Sequence, residues 1–110
     1  MQIEDTVLAA HVLDHAVNAG VIPSIRCLQR AINQVHKTNI AVDGKIGPIT
    51  LEHANTQPTT EIARAMFDSR IDAYQRIVNN NPLQYKFLKG WINRVASTND
   101  YAIKLQLGQL

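Results

Sequence analysis

Arg70 falls in the middle of an otherwise apolar helical half made of Ala63, Met66, Phe67, Ala73, Tyr74, Ile77 and Val78. Glu61, Arg64, Asp68, Asp72, Gln75, Arg76 and Asn79 fill the opposite half. A guanidinium in that position has to meet a carboxylate, a set of carbonyls or a wet groove, because an isolated buried charge costs on the order of several kcal/mol. Asp14 is the matching anomaly, set among Val7, Ala10, Leu13 and Val17 on another helical period. Two outcomes suit these residue types: a buried ion pair that fixes helix packing, or polar groups that line a ligand groove.

A third group of residues has sugar chemistry within reach. Leu83, Phe87, Trp91 and Val95 form an apolar stripe, with Arg94 next to Trp91 and Gly90 leaving room for a neighbouring backbone. Pyranose rings present apolar C–H faces that stack on aromatic rings, so Trp91 and Arg94 could floor a sugar groove; the plainer reading makes Trp91 a core residue. His11 and His15 stand four apart, as zinc ligands do, but without a nearby third ligand they read as solvent-facing, with His36 and His53 as distant partners at best. Cys27, the only cysteine, has no base at helical spacing and reads as packing.

The segment Val42-Asp43-Gly44-Lys45-Ile46-Gly47-Pro48-Ile49-Thr50 describes a tight loop followed by a helix start. Asp43-Gly44 is a turn dipeptide, in which the carboxylate can accept from the backbone two residues on and glycine can take a positive φ. Gly47-Pro48 then supplies an N-cap and a proline at the first helical position, where its missing N–H costs nothing. Ile46, the large apolar residue between the two turns, is expected to plug the loop onto the core. Rigid loops on helical scaffolds are common seats of binding residues, though a structural connector would have the same composition.

The elements that carry these groups read as helices. Residues 1–19 form the first, closed by Gly20; 23–36 the second, with Ile25, Leu28, Ala31, Ile32 and Val35 on one face; 48–54 a short third. Pro58 and Asn79-Asn80-Asn81-Pro82 bracket the fourth, and 82–96 makes the fifth, ended by Thr98-Asn99-Asp100. Residues 38–42 are the one candidate for a short strand, and the last ten, with Tyr101, Ile103, Leu105 and Leu107, are apolar enough to dock back. With 110 residues, 45% hydrophobic and 18% charged, the chain suits one folded all-α domain over 1–110. A net charge of +2 without a basic stripe argues against nucleic acid, and a single cysteine excludes an internal disulfide. No apolar run reaches membrane-spanning length, and Glu4 and Asp5 stand where a signal peptide would be basic, so action at the cell wall or periplasm would need another export route or release by lysis.

Taken in order, Leu13-Asp14-His15-Ala16-Val17-Asn18-Ala19-Gly20, Leu28-Gln29-Arg30-Ala31-Ile32, Asp43-Gly44-Lys45-Ile46-Gly47-Pro48-Ile49-Thr50, Arg70 with Tyr74, and Gly90-Trp91-Ile92-Asn93-Arg94-Val95 resemble the C-terminal half of N-acetylmuramidases of glycoside hydrolase family 108. That half, in bacterial and phage muramidases, is the type 3 peptidoglycan-binding domain, found also in proteins labelled secretion activators. The resemblance covers about residues 7–97 and implies a lysozyme-like C-terminal half of about five helices, with peptidoglycan as the partner. The muramidase acid sits in a Glu-Gly-Gly-Tyr motif that this chain lacks. Glycoside hydrolysis needs a proton donor in a poorly solvated site, whereas Glu4, Glu52 and Glu61 read as exposed helix-terminal residues.

The resulting expectation is a non-catalytic peptidoglycan-binding domain without cofactor or metal. Its ligand groove would be lined by Asp43, Lys45 and Thr50 from the loop and by Asp14, Asn18, Arg70, Tyr74, Trp91 and Arg94 from the helices. The alternative is the C-terminal half of a muramidase, in which Asp14 and Asn18 complete the cleft of a missing catalytic half. A third reading is a helical adaptor that binds a protein partner through its apolar tail.

Overall fold

The computed structural model of the chain describes residues 3–106. Five α-helices, Thr6–Ala19 (α1), Val21–His36 (α2), Pro48–Ala54 (α3), Thr59–Asn80 (α4) and Tyr85–Gln106 (α5), account for nearly all of the regular structure, with a 3₁₀ turn at Pro82–Gln84. There is no strand among the described residues: the 38–42 segment is irregular, and the side chain of Asn33 replaces a sheet partner. Asn33 Nδ2 donates to Ile40 O (3.0 Å), while Ile40 N and Thr38 Oγ1 donate to its Oδ1 (2.8 and 3.1 Å).

α1 begins at Thr6, later than the sequence pattern suggests, because Asp5 stays extended and its carboxylate accepts from Leu8 N at 2.9 Å. The same side chain accepts from Thr59 Oγ1 (3.0 Å), which ties the start of α1 to the start of α4. Gly20, at φ 102°, ends α1 with its N–H on Ala16 O and immediately caps α2, which starts at Val21. Pro23 is thus in the first turn of α2, where a helix tolerates proline. α3 opens on the expected Gly47-Pro48 pair.

α5 runs ten residues past the expected end at 96. Thr98-Asn99-Asp100 holds no glycine or proline, Asp100 pairs with Lys104 at 3.1 Å one turn on, and Ala102 is buried at 1% exposure, so tertiary packing overrides modest propensities. Tyr101 and Ile103 of the apolar tail lie on the exposed side of this helix, and Leu107 lies outside the described residues. The expected apolar stripe is only partly covered: Val95 of α5 is buried, but Leu83, which falls in the 3₁₀ turn, and Phe87 are 81% and 46% exposed.

α1 lies between α2, α4 and α5, and α4 in turn touches α1, α2 and α5, while α3 rests on α2. The core is formed by Val7, Leu8 and Val12 of α1, Ile25, Leu28 and Ile32 of α2, and Ile62, Ala63 and Met66 of α4. Ser24 Oγ donates to Val12 O (2.6 Å) and locks α2 against α1. Because three helices cover α1, its inner face is Val7, Leu8, His11 and Val12; Leu13 and Val17 are exposed and Asp14 sits at the boundary. No described helix is long and apolar enough to cross a membrane.

Candidate functional site

The expected ligand residues do not share one groove: all but Asp14 and Arg70 line one of two separate clefts. On the loop side, a cleft of about 590 Å³ is lined by residues of 39–50, including Asp43, Lys45 and Thr50, together with Gln29. Gln29 is 1% exposed and organises this loop. Its Oε1 accepts from Gly44 N (3.0 Å), and its Nε2 lies 3.0 Å from Asp43 Oδ1, 3.0 Å from Lys45 O and 3.2 Å from Thr50 Oγ1. An amide nitrogen has two hydrogens, so three acceptors share two donors. Asp43 Oδ1 also accepts from Lys45 N at 2.9 Å, and these two bonds hold the carboxyl below the usual carboxylate range.

Gly44 has φ 76° and its backbone is pressed against α2; a Cβ there would be 2.7 Å from Ile22 Cγ2. It is Gly44, then, that seats the loop, whereas Ile46 is 38% exposed and does not act as a plug. Gln29 is the residue that motif reading passed over as a site residue. Its signal was present: position 29 belongs to the 25, 28, 32 face of α2, so a polar group was bound to be buried there.

The second cleft, about 340 Å³, lies where α1, α4 and α5 meet, and Asn18, Tyr74, Trp91 and Arg94 line it with His15 and Ile77. Tyr74 and Trp91 are 5.4 Å apart at 32° between planes, and Phe87 continues the aromatic row 5.9 Å from Trp91. Trp91 is half-buried, part of the wall and not of the closed core. Gly90 is exposed with open space around it, so no backbone approaches where its side chain is missing.

Behind this cleft Arg70 and Asp14 meet. Arg70 Nη1 is 3.0 Å from Asp14 Oδ2, with side chains 2% and 15% exposed. The contact is an ion pair off the hydrogen-bond axis, and Arg70 Nε has no acceptor. Arg94, half exposed, takes the other oxygen of Asp14 at 3.1 Å. Arg70 Nη2 donates a long bond of 3.4 Å to Tyr74 Oη, which links the ion pair to the aromatic row.

The histidines are not solvent-facing. His11 is fully buried, its Nε2 donates to Asn99 Oδ1 (2.8 Å), and its ring meets Phe67 edge-on. Burial pushes its pKa below the ordinary histidine value, helped by Arg70 and opposed by Asn99 and Asp14. His15 is lowered for the same leading reason. His36 and His53 meet each other at 2.9 Å between Nδ1 atoms, one donating and one accepting. No group of three or more His, Cys, Asp or Glu side chains is placed to share a metal ion among the described residues. Cys27 is buried in the core, which raises its thiol pKa, and Glu4, Glu52 and Glu61 are exposed.

Compared with known protein families, residues 23–96 of the chain match the model described as "Predicted Peptidoglycan domain". The chain belongs to this peptidoglycan-domain family. The matched span holds both clefts except for the contribution of α1, which lies wholly ahead of it and supplies His15, Asn18 and Ala19. No curated protein and no solved structure gives a significant match to the chain.

Proposed function

We propose that the chain is a non-catalytic peptidoglycan-binding domain whose glycan contact is the cleft between α1, α4 and α5. The observation that carries this reading is the Tyr74–Trp91 pair, rings 5.4 Å apart, in the wall of an open cleft edged by Asn18 and Arg94. Such a surface offers apolar faces for the C–H side of a sugar ring and donors for its hydroxyls and amides, the usual make-up of a site that combines aromatic anchors with a few polar groups. The loop of 43–50 is then the brace of the scaffold, since Asp43 and Thr50 both engage Gln29. The non-catalytic reading is supported by the acids: Glu4, Glu52 and Glu61 are exposed, and Asp14, half-buried beside the cleft, is held between two arginines.

The test is co-sedimentation with purified sacculi, together with fluorescence titration by soluble glycan fragments. Trp91 is the only tryptophan, so any emission change reports on this cleft. Trp91→Ala and Tyr74→Ala are expected to lower sacculus binding about tenfold or more, the scale of a lost aromatic anchor. Unaltered sedimentation of folded Trp91→Ala protein would remove the site from this cleft, and clearing of wall suspensions by the chain alone would refute the non-catalytic reading.

A second reading makes this domain the wall-binding half of an N-acetylmuramidase or of a secretion activator. The run of exposed apolar side chains Leu13, Val17, Val21 and Ile22, 55–78% exposed, favours it, because contiguous apolar surface of this kind suits contact with another domain. A neighbouring segment with Glu-Gly-Gly-Tyr that co-purifies with this chain, and fails to do so after Val17→Asp, would support that arrangement.

A further inference from the structure

Next to the aromatic cleft, and sharing His15, Ala73 and Tyr74 with it, lies a smaller depression of about 190 Å³ whose wall contains Arg30, Arg70 and Arg76 and no carboxylate. Three guanidiniums in so small a space repel one another, and only Arg70 is neutralised, by Asp14 behind it. Arg30 and Arg76 are exposed and make no ion pair or hydrogen bond among the described residues. Arg70 is 3% exposed yet keeps an Nε–H without an acceptor, and His15 Nδ1 is likewise buried without a partner. The positive field is felt by the neighbours: Arg70 and Arg30 both push the His15 pKa down beyond the effect of burial, and both pull against the burial that raises the Cys27 thiol.

We propose that this depression is a carboxylate-binding subsite, which takes the free carboxylate of a peptide attached to the sugar seated on Tyr74 and Trp91. The assignment rests on the glycan reading of the adjoining cleft. Tyr74 belongs to both sites, since its ring faces Trp91 and its hydroxyl accepts from Arg70. A glycan on the aromatic side therefore brings any acid it carries to the arginine side. Guanidinium forks hold carboxylates through paired, charge-assisted hydrogen bonds, and Arg30 and Arg76, at the wall of one depression and without partners among the described residues, can both turn to the same acid.

Three probes separate the possibilities: a muramyl dipeptide with its carboxylates free, the same compound with them amidated, and inorganic phosphate. Each is titrated against the full chain, read by Trp91 fluorescence and by shifts of the arginine Nε–H resonances. The free acid is expected to bind about tenfold or more tightly than the amide. Arg30→Gln with Arg76→Gln, two exposed positions where folding is checked by circular dichroism, is expected to bring that ratio to about one. Equal affinity for acid and amide in the unmodified chain would overturn the subsite, as would a ratio that survives the double substitution. Competition by phosphate at concentrations equal to the acid would also overturn it, in favour of a general anion site. Sacculus sedimentation of the same preparation tells the two failures apart: if it persists, the subsite alone is wrong, and if it is absent, the glycan reading falls with it.

Discussion

Removal of Asp14 is the most demanding test of the structure, because one carboxylate serves two arginines in very different surroundings. Arg70 is 2% exposed in its side chain and, among the described residues, depends on Asp14 for its only counter-charge, with a 3.4 Å bond to Tyr74 as its remaining polar contact. Arg94 is 50% exposed and can be hydrated when its partner is lost. Leaving a buried guanidinium unpaired costs about 3–5 kcal/mol, whereas an exposed pair is worth about 0.2–1 kcal/mol. Asp14→Ala is therefore expected to lose about 3–5 kcal/mol, a large share of the roughly 5–15 kcal/mol that stabilises a domain of this kind.

Urea unfolding of Asp14→Ala, Arg70→Met, Arg94→Ala and the two double variants closes the cycles. The Asp14–Arg70 cycle should be strongly non-additive, with Asp14→Ala/Arg70→Met losing less than the sum of its singles, because the apolar pair leaves no buried charge. The Asp14–Arg94 cycle should show coupling below about 1 kcal/mol. An Asp14→Ala loss under about 1 kcal/mol, or equal coupling to both arginines, would refute the claim that burial of Arg70 sets the energetics.

Gln29→Ala should destabilise by about 2–4 kcal/mol in the same assay, since it strands the Gly44 N–H and the Lys45 carbonyl; a loss near zero would mean that water replaces the amide. Gly44→Ala should cost about 1–3 kcal/mol from positive φ alone, and more if Ile22 cannot move away from the new Cβ 2.7 Å away, so a neutral outcome would contradict the loop's seating. For pH, His11 and His15 have folded pKa values below the unfolded one, so the unfolded chain takes up protons first as pH falls. Stability should be level between about pH 7 and 8 and decline from about 6.5 downward, with a shallower slope in His11→Gln; a urea midpoint that rises on acidification from pH 7 to 5 would refute this.

The sequence showed most where a residue type contradicted its face. Arg70 in an apolar half and Asp14 beside one made a buried ion pair one of two outcomes, because the cost of a lone buried charge leaves few alternatives, and the two do meet. Gly47-Pro48 and the asparagine run before Pro82 marked helix ends for local steric reasons, and those ends are observed. Where tertiary contact decides, local patterns were insufficient. Thr98-Asn99-Asp100 resembles a stop signal, yet Asn99 accepts from the buried His11 Nε2 and Ala102 joins the core, so the helix continues. Ile46 resembles an anchor by hydrophobicity, but the anchoring is done by the absence of a side chain at Gly44 and by the four contacts of Gln29. The rotation of α1 depends on which three helices cover it, and no single-helix period contains that information.

An ion pair for packing and a polar group for binding were posed as alternatives for Arg70, and the geometry does not require the choice. A guanidinium has five N–H groups in a rigid fork, and a carboxylate can satisfy only part of them. Here Asp14 meets Nη1, Tyr74 meets Nη2, and the buried Nε is left without an acceptor. Asp14 itself divides its oxygens between Arg70 in the interior and Arg94 at the rim of the aromatic cleft, so the position of both arginines is set by one residue of α1. α1 lies entirely ahead of the family match at 23–96, yet it holds the carboxylate on which the buried Arg70 of α4 and the half-exposed Arg94 of α5, both within the match, converge.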